Sequence, residues 1–194
     1  MGFGLLILGY LSVFGTLPYF FLYYSWGIYI AAAGGLIMLA GLCRLSEYNL
    51  YFKASKYICI AYILILLGFS PFLLLKYDSG IFTAVSKIIR ICVLFAFHFF
   101  LISGISALAL EIENKLVLKK SKVVMYISYA FFSAFILEFF DIPIISHIMI
   151  IFTFGFYFMM FSLIYSCYMR ITYEGHDEEI ERISDEKAKK KKKG

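Results

Sequence analysis

Apolar stretches and short polar breaks alternate along the chain: Phe3 to Leu22, Gly27 to Leu42, Tyr57 to Leu75, Ile88 to Leu110, Val123 to Phe140 and His147 to Met169 are apolar. A hydrocarbon layer of about 30 Å takes roughly 20 residues of helix, so each stretch reads as a candidate transmembrane helix. The second and fifth are the shortest and also fit a tilted or re-entrant segment. The pattern predicts an all-α integral membrane bundle of about six transmembrane helices arranged as three hairpins, with residues 1–169 forming one domain. Past residue 169 the apolar character stops, and EGHDEEIERISDEKAKKKKKG carries acids first and then a lysine block. Such a composition cannot bury a core and predicts a disordered, charged cytoplasmic tail over 170–194.

Composition sharpens this reading. With 62% hydrophobic and only 16% charged residues, the chain lies far from the roughly one-quarter charged make-up of soluble domains. The first stretch lacks a basic flank and a small-residue cleavage site, so it reads as a retained helix. Fifteen of the eighteen lysines and arginines fall on one side of a six-span layout, and only Lys76, Lys87 and Arg90 fall on the other. Basic loops resist translocation, which predicts a multi-pass protein with both termini cytoplasmic. Pro18 to Trp26 (PYFFLYYSW) reads as an outer aromatic belt, and Tyr165, Tyr168 and Tyr173 as the inner one. The three prolines, Pro18, Pro71 and Pro143, fall at or just past the outer ends of odd-numbered helices, where they break no mid-membrane ladder. Heavy use of Lys, Ile, Phe and Tyr points to an AT-rich bacterial genome and hence to the cell (inner) membrane.

Small residues mark one candidate packing face: Gly27, Ala31 and Gly35 stand four apart and would let a second helix approach closely. Cys43 to Lys56 reads as a short helix lying in the inner interface. Glu111 to Lys122 reads as a cytoplasmic run-on of the fourth helix.

The costly polar groups are few. His98 falls at the centre of the fourth stretch, near the bilayer midplane, where a neutral imidazole needs a hydrogen-bond partner and a charged one is expensive. Lys87, Arg90, Leu94 and His98 share a sector of about 80° on a helix. Glu138, Asp141 and His147 lie at the outer end of the next hairpin, at about the depth of Arg90. An Arg90 to Glu138 pair follows as an expectation, with Asp141 as the nearest acid for Lys87. Together these residues outline a candidate ion or solute pathway with His98 as its titratable group. His98 and His147 differ too much in depth to clamp one haem iron.

Other chemistries find no support. Cys43, Cys59, Cys92 and Cys167 form no C-x-x-C pair, and neither a metal nor a cofactor is expected. No nucleophile elbow, zinc-protease motif or phosphate-cradling loop occurs. The lysine block lacks the interleaved aromatics of a nucleic-acid surface. The expected role is a non-enzymatic accessory, scaffold or regulatory component, with a small permease or channel as the alternative. Its expected partners are the lipid bilayer, a protein or a second copy through the transmembrane helices, and anionic lipid touched by Lys189 to Lys193.

Overall fold

The computed structural model describes residues 2–15, 27–74, 80–135 and 143–173. They form six helices: α1 (Gly2–Tyr10), α2 (Gly27–Leu45), α3 (Leu50–Leu74), α4 (Gly80–Glu111), α5 (Lys115–Phe135) and α6 (Pro143–Cys167). The first widens into a π-helical turn over Leu11–Gly15, and the last continues as π-helix over Tyr168–Tyr173. No strand occurs among the described residues, so the fold is all-helical. The expected charged tail lies outside the described residues except for its first four, which extend α6 as π-helix.

Local chemistry moves two of the expected boundaries. Cys43 to Lys56 is not a separate interfacial helix. Asn49 caps α3, its side-chain oxygen accepting from the Phe52 amide at 3.0 Å, so the chain turns within residues 46–49 and α3 starts at Leu50. The fourth helix likewise does not run on through Glu111 to Lys122. The Asn114 amide bonds back to the Ala109 carbonyl at 2.9 Å and the Glu113 amide to Leu110 at 3.2 Å, with Glu113 at φ 57. That is a Schellman stop, with a glutamate in the left-handed position that usually takes glycine. Asn114 then caps α5 by accepting from the Val117 amide at 3.1 Å. Pro143 opens α6, where its missing amide hydrogen breaks no bond.

Each helix packs against the next in the chain, and α1 packs against α6, which closes the six into a ring. The tightest seam joins α1 to α2 through paired glycines. A Cβ on Gly9 would lie 2.7 Å from the Gly34 carbonyl oxygen, and one on Gly41 would lie 2.7 Å from the Gly2 oxygen and 2.8 Å from the Leu6 nitrogen. Backbone meets backbone at both points, and the two helices run antiparallel. Ala31 is buried, and Gly35 faces α3, where a Cβ would come within 2.8 Å of Ile63. Gly27 opens α2, and its surroundings lie outside what is described.

Gly2, the two turns and the end of α6 share one end of the bundle. Gly2 abuts Leu45, Gly4 faces Tyr168, and Asn49 Nδ2 donates to the Gly104 carbonyl at 3.0 Å. Arg44, Lys53, Lys56, Lys115, Lys119 and Lys122 also gather there, so it is called the basic end below.

Large apolar side chains cover the outside of the ring as well as its core. Ile151 is 75% exposed and Phe158 69% exposed on α6, and Leu8, Leu36, Leu64 and Ile88 face outward from α1 to α4. A soluble monomer rarely shows so continuous an apolar exterior. Three helical segments are long and apolar enough to cross a membrane: Leu50–Gly68, Ile88–Glu111 and Ile151–Ile171. Gly2–Phe14 and Tyr29–Leu45 are shorter apolar helices. These features suggest a membrane location.

The glycine seam is expected to reject even one methyl. Gly41→Ala should lower stability by about 1–3 kcal/mol, because backbone must move to admit the new carbon. Gly155→Ala meets open space and should be neutral or stabilising by up to about 1 kcal/mol. Thermal unfolding of the purified chain in detergent compares the two. In the same assay Glu113→Gly should gain about 1 kcal/mol by relieving the left-handed conformation.

Candidate functional site

The centre of the ring is closed by side chains around one imidazole. His98 is 0% exposed. Its Nδ1 lies 2.8 Å from the Leu94 carbonyl oxygen one turn earlier on α4, and its Nε2 lies 3.1 Å from the Tyr10 hydroxyl on α1. A carbonyl can only accept, so Nδ1 carries the hydrogen; in a neutral ring Nε2 then accepts from Tyr10. Both ring nitrogens are therefore satisfied by the chain itself.

Aromatic rings from four helices surround this bond. Phe156 and Tyr157 on α6 lie with ring centroids 5.1 and 6.1 Å from His98, Phe132 on α5 at 5.8 Å, and Phe14 from the π-helical turn after α1 at 5.3 Å. Phe97 completes the cage from the histidine's own helix at 5.4 Å. The π-helical turn begins one residue after Tyr10, so Tyr10 and Phe14, four apart, both reach the imidazole. The cage holds together through its own contacts, Phe131 stacking on Phe156 at 4.3 Å and Phe14 on Tyr157 at 4.8 Å. As an arrangement it locks α1, α4, α5 and α6 to one another.

A second polar cluster lies toward the basic end, between α5 and α6. The Lys120 ammonium donates to the Ser162 carbonyl at 2.8 Å, the Ser162 hydroxyl at 2.8 Å and the Ser166 hydroxyl at 2.7 Å. The Ser166 hydroxyl itself donates to the Ser162 carbonyl at 2.7 Å. All three donors of the lysine end on neutral oxygens. Burial is the largest influence and holds this ammonium below the ordinary lysine pKa; the Cys167 thiol opposes the shift and Arg170 adds to it.

Protein-family models, curated proteins and solved structures contain no match to this chain. Its chemistry rests on the geometry alone.

Of the residues expected to line a pathway, His98 and Arg90 are those whose side chains are described. Arg90 is on the exposed face of α4, two turns from the sealed imidazole. Lys87 and His147 belong to α4 and α6, and the placement of their side chains lies outside what is described; Glu138 and Asp141 fall wholly outside the described residues, so the Arg90 to Glu138 pair does too. Among the described residues no three His, Cys, Asp or Glu side chains come together as a metal site. The four cysteines are free thiols, Cys59 and Cys167 buried and Cys43 and Cys92 exposed.

Sequence reasoning found the buried histidine and its need for a partner but not the partner. Tyr10 lies 88 positions away, and in the sequence it is one of many aromatics in an apolar stretch. The Lys120 cluster was missed because Lys120 sits among neighbouring lysines that read as a solvated connector. One signal was present: Ser162 and Ser166 are four apart on one face of an apolar helix, and hydroxyls so placed invite a polar neighbour.

Two further hydroxyls, Ser55 on α3 and Ser128 on α5, are buried with no hydrogen-bond partner among the described residues.

Removing the Tyr10 hydroxyl should expose the cost of an unsatisfied buried nitrogen. Tyr10→Phe is expected to destabilise by about 1–3 kcal/mol. Combining it with His98→Phe should cost less than the sum of the two single changes, since both ends of the bond then vanish together. A double-mutant cycle on thermal stability in detergent measures this, and strictly additive losses would dissolve the proposed bond.

Proposed function

We propose that the protein is a non-enzymatic, multi-pass component of the cell membrane that acts as an accessory subunit, scaffold or regulator. In this reading the six helices all span the bilayer as three hairpins. The basic end and both termini lie on the cytoplasmic side, in the inner membrane of a bacterial cell. The observation that carries it is the sealed centre. The most polar group in the middle of the ring has both nitrogens bonded to protein and a full shell of aromatic rings, which favours a rigid, packed body over a route for solute. The gathering of basic side chains beside Gly2, the two turns and the end of α6 supports the orientation. The apolar exterior supports contact with lipid and with other membrane helices, whether of a protein partner or of a second copy.

Mild extraction of the native membrane followed by mass spectrometry should recover a stoichiometric partner or a defined homo-oligomer. Liposomes carrying the purified chain should show no more proton or solute flux than empty ones, and His98→Ala should not change that. Recovery of a lone monomer, or flux that depends on His98, would favour the permease reading instead. Reporter fusions at the two chain ends should both read cytoplasmic.

A further inference from the structure

Among the described residues, the Lys120 ammonium has no carboxylate bonded to it. Its three hydrogen bonds go to neutral oxygens of Ser162 and Ser166. Arg170 stands one turn beyond Ser166, on the π-helical continuation of α6, and its charge acts against that of Lys120. Lys120 and Arg170 are both half-buried, and Lys120 bonds only to the serine oxygens. An anion bearing several acceptor oxygens would relieve that repulsion, and the Ser162 hydroxyl, which accepts from Lys120, can donate to it.

We propose that Lys120, Arg170 and the Ser162 hydroxyl bind the phosphate of an anionic phospholipid at the basic end of the bundle. Position selects a lipid as its source. The cluster lies beside the exposed cations Lys119 and Lys122, at the edge of the apolar run that begins at Val123, where a membrane interface would fall. The exposed ring of Tyr165 stands next to Ser166 on α6, as amphipathic rings do at a membrane interface. Acyl chains would run along the outward apolar faces of α5 and α6, where Val123 and Phe158 are exposed. A serine–lysine hydrolytic pair is a poorer fit, because the Ser166 proton is donated to a backbone carbonyl and not to the amine. The site rests on the membrane location and not on the scaffold role. Lipid retention by a purified chain is read without a partner, so either idea can fail alone.

Native mass spectrometry of the full chain, released from micelles doped with phosphatidylglycerol or phosphatidylcholine of matched acyl chains, tests the proposal. The unaltered chain should retain phosphatidylglycerol preferentially. Lys120→Gln and Arg170→Gln should each weaken that retention by about fivefold, the weight of one cation against an anionic headgroup. Lys120→Arg should preserve it, and Lys119→Gln should leave it nearly unchanged. Equal losses in Lys119→Gln and Lys120→Gln would assign the effect to diffuse surface charge and overturn the site. So would the lack of any headgroup preference, or full displacement of the lipid by millimolar inorganic phosphate. Should Lys120→Gln fail to fold, Arg170→Gln against Lys119→Gln carries the same comparison.

Discussion

An imidazole shut away from water must find both of its hydrogen-bond partners inside the protein, and the rest of this bundle is arranged around that need. One partner is local: the Leu94 carbonyl, four residues back on α4, fixes which nitrogen carries the hydrogen. The other is remote, and it requires α1 to bring Tyr10 to the centre of the ring at the right height. A polar group left unmatched at that depth would cost more than any single apolar contact nearby contributes. The bond is thus a specification of how α1 and α4 sit across the centre as much as a source of stability.

The height of α1 is set in turn by glycine. At Gly2 and Gly9 its backbone touches that of α2 at Gly41 and Gly34, with no room for a side chain between them. Where lipid surrounds the helices, burial of apolar surface gives no net drive for association, and close backbone packing takes its place. Aromatic stacking plays the corresponding part between α5 and α6, where Phe131 lies nearly parallel to Phe156. The ring is held by contact geometry along its seams and by one hydrogen bond across its centre.

Polarity is divided between two levels. The centre is sealed and electrically quiet, and the basic end is crowded with cations that have few described acids among them, Glu47, Glu111 and Glu113. A body built this way has an apolar outer wall. In the proposed orientation, the charge of the basic end faces anionic headgroups and the cytoplasm.

The helical character of the chain and the apolar length of its helices were legible in the sequence, because they follow from composition and from the spacing of polar breaks alone. The isolation of His98 amid apolar residues likewise announced a buried polar group that needed a partner. Helix ends were less legible. The caps at Asn49 and Asn114 and the left-handed Glu113 are one-residue events that average hydropathy does not register, so α3 and α5 begin earlier than the apolar pattern implied. What only the tertiary structure decided was pairing. A sequence periodicity says which face of a helix is buried, not which helix lies opposite. Tyr10 with His98, Gly9 with Gly34, and Lys120 with Ser162 and Ser166 are each separated by loops or whole helices. Such contacts exist only after the ring has closed.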